Sequence, residues 1–114
     1  MPFIQTTTNV SITKEKETVL KSRFGKAIEC IPGKSESWLM LAFADERPMY
    51  FKGEGDKPAA MLEVKIYGSA SSADYERLTG ELTGIVQEEL GVQPNRIYIT
   101  YQEIGEWGWN GGNF

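Results

Sequence analysis

Histidine is absent from this chain, and cysteine occurs once, at Cys30. Without His the commonest general base and metal ligand is missing. A single Cys excludes an internal disulfide, a CxxC redox pair and a Cys/His metal site, so no metal is expected. A surplus of positive charge is also lacking. Twelve Lys and Arg stand against 16 Asp and Glu, a formal net charge of -4, and no Lys/Arg block occurs. This argues against nucleic acid, and against an anionic membrane surface, as main partners. No apolar run is long enough to span a membrane. The first residues lack the basic and apolar regions of a signal peptide. The expected location is the cytoplasm, with secretion by a route that needs no signal peptide as the alternative. The composition, 40% hydrophobic and 25% charged over 114 residues, fits one soluble globular domain spanning 1–114.

What is present begins at the second residue. Pro2 opens a strand-like run, Pro2-Phe3-Ile4-Gln5-Thr6-Thr7-Thr8. If Met1 is removed, the chain starts with a secondary amine. An α-amine titrates well below lysine, at about 8 in the ordinary case, and burial lowers it further because desolvation disfavours the cation. A base near 7 suits proton abstraction beside a carbonyl. The alternative is that Met-Pro is a common start with no chemical meaning, and context has to decide.

That context includes a repeat with an offset of 58 residues. Gly33 to Phe43 aligns with Gly91 to Tyr101 as a turn followed by an alternating strand. Upstream, Ile4 and Thr6 match Leu62 and Val64, and Thr13 matches Ser71, both good helix N-caps. Asp74 follows Ser71 by three residues, in the manner of a capping box. Between cap and glycine lie helical patterns: Val19, Leu20, Phe24, Ala27, Ile28 and Ile31, then Tyr75, Leu78, Leu82, Ile85, Val86 and Leu90. Gly33 and Gly91 stand where a left-handed residue closes a helix.

Each half therefore reads strand, helix, strand, with parallel pairing inside each unit. The expected architecture is α+β: one four-stranded sheet with two helices on one face. Leu62, Val64, Ile66, Leu39, Leu41, Phe43, Ile97, Ile99 and Tyr101 would face the helices. Gln5, Met40, Glu63, Lys65, Tyr98 and Thr100 would face away. A bare parallel face is unusual, so other copies of the chain are expected to cover it; a monomer with one wet face is the alternative. Outside the repeat, Asp45–Pro48 reads as a turn, Met49–Lys52 as a short strand and Gly53–Pro58 as a loop. The glycine-rich end, Trp107 to Phe114, is no helix, and its aromatics need cover.

Taken together, Met1-Pro2-Phe3-Ile4, Thr8-Asn9-Val10, Gly33-Lys34, Tyr67-Gly68, Asn95-Arg96-Ile97-Tyr98-Ile99, Gly108-Trp109-Asn110 and the terminal Phe114 resemble the macrophage migration inhibitory factor-type proteins of the tautomerase superfamily. The resemblance implies a homotrimeric barrel with active sites between subunits. It implies Pro2 as general acid and base, and Lys34 as the holder of a substrate carboxylate. It also implies Tyr98 as a pocket tyrosine from an adjacent subunit, the Tyr67 backbone amide as a donor to substrate oxygen, and Phe3, Trp109 and Phe114 as apolar walls. On residues alone, Lys34 also reads as an exposed cation near a helix C-terminus.

Three departures stand out. Thr100 replaces the family's usual pocket asparagine, Tyr67 is bulkier than the usual aliphatic residue, and Trp107 is larger than its usual counterpart. Ala59-Ala60-Met61-Leu62 stands where vertebrate members carry CxxC, so no thiol oxidoreductase role is expected. The implied activity is keto–enol tautomerisation of small aromatic α-keto acids, phenylpyruvate-like, with no cofactor. A binding or cytokine-like protein with a vestigial or ligand-sensing pocket, its receptor unknown, is the alternative. A hydrolytic or dehalogenating relative, with Arg96 and Glu63 as partners of the proline, ranks last.

Overall fold

A computed structural model describes residues 1–114. The first unit comprises β1 (Pro2–Thr8), α1 (Lys14–Ala27) and β2 (Met40–Ala44); the second comprises β3 (Ala60–Tyr67), α2 (Ser72–Leu90) and β4 (Ile97–Ile104). The sheet order is β2-β1-β3-β4. β1 runs parallel to β2, β3 runs parallel to β4, and the two units join through antiparallel β1 and β3. The repeat holds element by element. Pro2 and Ala60 start strands, Lys14 and Ser72 start helices, and one-turn 3₁₀ segments start at Glu36 and Pro94.

The capping chemistry read from the sequence sets both helix starts. The Thr13 side chain accepts from Lys16 N–H, and Ser71 with Asp74 makes a complete capping box. α2 ends as expected, with Gly91 at φ 70°. α1 does not continue to Gly33. It stops at Ala27, a 3₁₀ turn covers Ile28–Cys30, and Ile31 is extended. Pro32 explains the early stop, because its ring disfavours helical backbone at the residue before it. Pro32 and Gly33 (φ 80°) then occupy the centre of a tight turn closed by Lys34 N–H donating to Ile31 C=O at 3.0 Å. Pro followed by Gly is the type II turn signature. The turn delivers Lys34 to one end of the sheet.

The core lies between the sheet and both helices. Ile4, Leu20, Phe24, Ile28, Leu62, Leu78, Leu82 and Val86 are each at most 1% exposed. Each such side chain contributes about 1.5–3 kcal/mol through burial. Val19, expected on this face, is 38% exposed instead. The helices are tied together by Arg23 to Glu88 and Glu89 and by Lys16 to Glu89. One buried polar atom, the Thr6 hydroxyl, has no partner. The expected outer face is as read: Met40 is 67% and Tyr98 64% exposed, and Glu63, Lys65 and Thr100 are open to solvent. No helix is long and apolar enough to cross a membrane.

The expected strand over Met49–Lys52 does not form. Phe51 and Glu54 instead close a two-residue hairpin through paired backbone bonds of 3.0 Å, with Lys52 and Gly53 both at positive φ. Two consecutive left-handed residues suit the type I′ turn that matches strand twist. The same device recurs at the C-terminus. β5 (Gly108–Trp109) and β6 (Gly112–Asn113) pair around Asn110 (φ 53°) and Gly111 (φ 84°).

Candidate active site

Strand register brings the N-terminus to one end of the sheet. Pro2 is buried opposite Ile66, and as the first residue of β1 it owes the ladder no N–H. Beyond it, Tyr67 N–H donates to Met1 C=O at 2.9 Å, and Lys34 Nζ donates to Tyr67 C=O at 2.9 Å. The terminal amine sits beside Lys34. Burial first, then the Lys34 charge and hydrogen bond, lowers its pKa from 8.0 to about 6. Both causes act the same way: burial penalises the charged form, and Lys34 opposes a second cation beside it.

A cleft of about 580 Å³ opens at the same place. Pro2, Phe3 and Lys65 line it from the sheet, and Trp38, Trp107 and Trp109 from the loops. The aromatic wall is continuous. Trp38 meets Trp109 edge-on at 5.0 Å, Trp109 stacks on Phe114 at 6.2 Å, and Phe114 packs on Tyr67 at 5.5 Å. Such arrangements contribute about 0.5–1.5 kcal/mol each beyond burial. The C-terminal hairpin is closed by Phe114 N–H donating to Trp107 C=O at 3.0 Å and meets the site through the Trp38–Trp109 and Tyr67–Phe114 contacts.

One chain therefore gathers Pro2, Phe3, Lys34, Tyr67, Trp109 and Phe114. Of these, Pro2, Phe3 and Trp109 line the cleft; Lys34 and Tyr67 meet at its Met1 end without lining it, and Phe114 packs on Tyr67 and Trp109. Tyr98 and Thr100 lie elsewhere. In register, Pro2 pairs with Ile66 and Ile66 with Glu103. Tyr98 stands five residues before Glu103, about 17 Å along the strand. Its ring meets Phe51 edge-on at 5.0 Å.

Arg96 and Glu63 do not form the reactive pair considered for a hydrolytic relative. The Arg96 guanidinium donates to the carbonyls of Phe51, Glu54, Lys57 and Pro58 at 2.8–3.2 Å, which fixes the 51–58 segment. Glu63 is exposed on the outer sheet face.

Several lining residues escape the sequence reading as site residues, Ser37, Leu39, Met40 and Gly108 among them, and above all Trp38 and Lys65. Trp38 ends the 3₁₀ segment that the repeat places before each strand, the signal that could have marked it. Lys65 comes beside Phe3 only through the antiparallel pairing of β1 with β3. A second groove, about 670 Å³, runs between α1 and β2 and shares Ser37 and Leu39 with the cleft. Its charged side chains pair with one another, Lys14 with Glu17 and Lys21 with Glu36. No group of three or more Cys, Asp or Glu converges as metal ligands would.

Two β-α-β units on one sheet, with both helices on one face, are the tautomerase architecture. Solved structures of this kind superpose over nearly the whole chain. A Leishmania major MIF2 structure matches with a TM-score of 0.93 and 33% identity, covering 100% of this chain and 97% of the other. A macrophage migration inhibitory factor homologue from Prochlorococcus marinus matches with a TM-score of 0.88 and 27% identity, covering 98% of each. Among curated proteins, macrophage migration inhibitory factor of Meriones unguiculatus is 28% identical over 100% of this chain and 99% of its own length. The family model for macrophage migration inhibitory factor (MIF) matches residues 1–114. The chain belongs to the macrophage migration inhibitory factor family.

Proposed function

We propose that this protein is a keto–enol tautomerase for small aromatic α-keto acids, with the Pro2 amine as general acid and base once Met1 is removed. The observation that carries this reading is geometric: Pro2 lines the cleft, and Lys34 is bonded to the Tyr67 carbonyl beside the chain terminus. Loss of Met1 would open the Pro2 amine to that cleft. It would also free the Tyr67 N–H, which now donates to Met1 C=O. Neutral Pro2 would take a proton from the enol hydroxyl or the β-carbon and return it, as prolinium, to the other centre. Lys34 would hold the carboxylate, and the Tyr67 amide would stabilise charge developing on the oxygen. The aromatic wall would take the substrate ring.

The assembly proposed is a homotrimer. The exposed apolar side chains of the outer face, Met40 and Tyr98 above all, support association. In a trimer Tyr98 and Thr100 would reach the pocket of a neighbouring copy. Size by light scattering tests this.

The activity is tested by phenylpyruvate turnover in the Met1-free protein and its Pro2→Gly variant. Near-normal turnover in Pro2→Gly would refute the mechanism. A cytokine-like binding role, with a vestigial or ligand-sensing pocket, is the second reading, supported by the family membership. Cell-surface binding that persists in Pro2→Gly, without turnover by either protein, would favour it.

A further inference from the structure

We propose that Lys65 is a second anion-binding cation of this cleft. It would select aryl α-keto acids that carry another negative charge at the far end of the ring. The proposal rests on the tautomerase reading for the placement of the first carboxylate on Lys34. Three observations carry it.

Lys65 lines the cleft together with Pro2 and Phe3. Its place follows from register: Phe3 is its direct partner on β1, and Tyr67 lies two residues further along the same face. Two residues of strand are about 7 Å. Lys34, bonded to the Tyr67 carbonyl and beside the terminal amine, stands at the Met1 end of the cleft, and Lys65 lines it beside Phe3.

Second, no acidic side chain lines the cleft. Lys65 also lacks a carboxylate partner, in contrast to Lys14, Lys16, Lys21, Arg23, Lys57 and Arg77, which all hold ion pairs. Glu63, two residues before it on the same face, does not come within ion-pair distance. With Lys65 on its wall, Lys34 beside its Met1 end and no acid among its lining residues, the cleft carries positive charge in a chain of net charge -4. Walls of low dielectric focus the field of such charge.

Third, the remaining walls include Trp38, Trp107 and Trp109, which suit a flat ring, with Leu39 and Met40 beside them; besides the indole N–H groups only Ser37 adds a side-chain donor. A dianion with a central ring satisfies both lysines and the aromatic wall. A monoanionic aryl keto acid leaves Lys65 with water alone.

The test compares phenylpyruvate with its ring-carboxylated analogue, 4-carboxyphenylpyruvate, in the Met1-free protein and in Lys65→Gln and Lys65→Arg. The readout is the ratio of kcat/KM for the dianion to that for the monoanion. An exposed ion pair supplies up to roughly a fivefold preference. Lys65→Gln should lower the ratio by about that factor, chiefly through KM, and Lys65→Arg should keep it. The preference should shrink as ionic strength rises. Equal ratios in the parent and Lys65→Gln would overturn the proposal. Absence of turnover with both substrates would refute the tautomerase reading instead. Binding of the unreactive pair phenylacetate and 4-carboxyphenylacetate, followed by tryptophan fluorescence, then decides Lys65 by the same ratio.

Discussion

Replacing Lys34 tests two consequences of one position. Its Nζ sits 2.9 Å from the Tyr67 carbonyl and beside the terminal amine. As a donor to a substrate carboxylate it would contribute a charged hydrogen bond of about 1.5–3 kcal/mol. Lys34→Met should therefore cost roughly ten- to a hundredfold in kcat/KM for phenylpyruvate. The second consequence concerns pH. A base must be neutral to accept a proton, so activity falls as pH drops through the pKa of the amine. The parent's acid limb should lie below about 8, the ordinary α-amine value. In Lys34→Met the limb should move upward, because a neighbouring cation no longer opposes protonation. Lys34→Arg should hold the limb near the parent position. The assay is a pH–rate profile of kcat/KM for the three proteins, each with its N-terminus fixed by intact mass. An unmoved acid limb in Lys34→Met, or a kcat/KM within twofold of the parent, would refute the reasoning.

Three further outcomes follow from the scaffold. Thr6→Val should stabilise the fold by about 1–2 kcal/mol, read as a higher midpoint in thermal unfolding, because it removes a buried hydroxyl that has no partner. Arg96→Ala should leave the sheet intact but loosen residues 51–58, since the one group that bonds four carbonyls of the segment together is removed; faster amide exchange confined to that segment is the check. Gly111→Ala should weaken the C-terminal hairpin by about 1–2 kcal/mol, because φ there is 84° and open space around the site leaves backbone strain as the sole cost. A red-shifted tryptophan emission and a raised KM for phenylpyruvate would report Trp109 leaving Trp38.

The fold was legible because the same instructions are written twice. Thr13 and Ser71 cap helices, alternating apolar residues mark strands, and the 58-residue offset aligns them. What was missed is non-local or depends on turns. The pairing of β1 with β3 joins the two units, and no local periodicity specifies it. Lys65 therefore went unassigned, although its face was read correctly. Asn110-Gly111 carries the short-range signal of a type I′ hairpin, whereas at Lys52-Gly53 only the glycine hints at one, since lysine rarely adopts positive φ. Without the pairing of their flanks, both segments read only as loop and glycine-rich tail. The Met49–Lys52 segment looked like a strand because its apolar residues are contiguous; Arg96 instead draws its end into a clamped turn. Lys34 and the Tyr67 amide were marked by family resemblance and not by pattern. Their meeting at Met1 depends on the Pro32-Gly33 turn and the end of β3.

The most direct measurement is phenylpyruvate tautomerase activity on two preparations separated by intact mass, one retaining Met1 and one beginning at Pro2. In the first, the Pro2 nitrogen is an amide and the Tyr67 N–H is occupied by the Met1 carbonyl. The account predicts turnover in the Pro2-initiated protein and its loss when Met1 is retained. Equal activity in both preparations, or none in the protein with a demonstrably free Pro2, would contradict it.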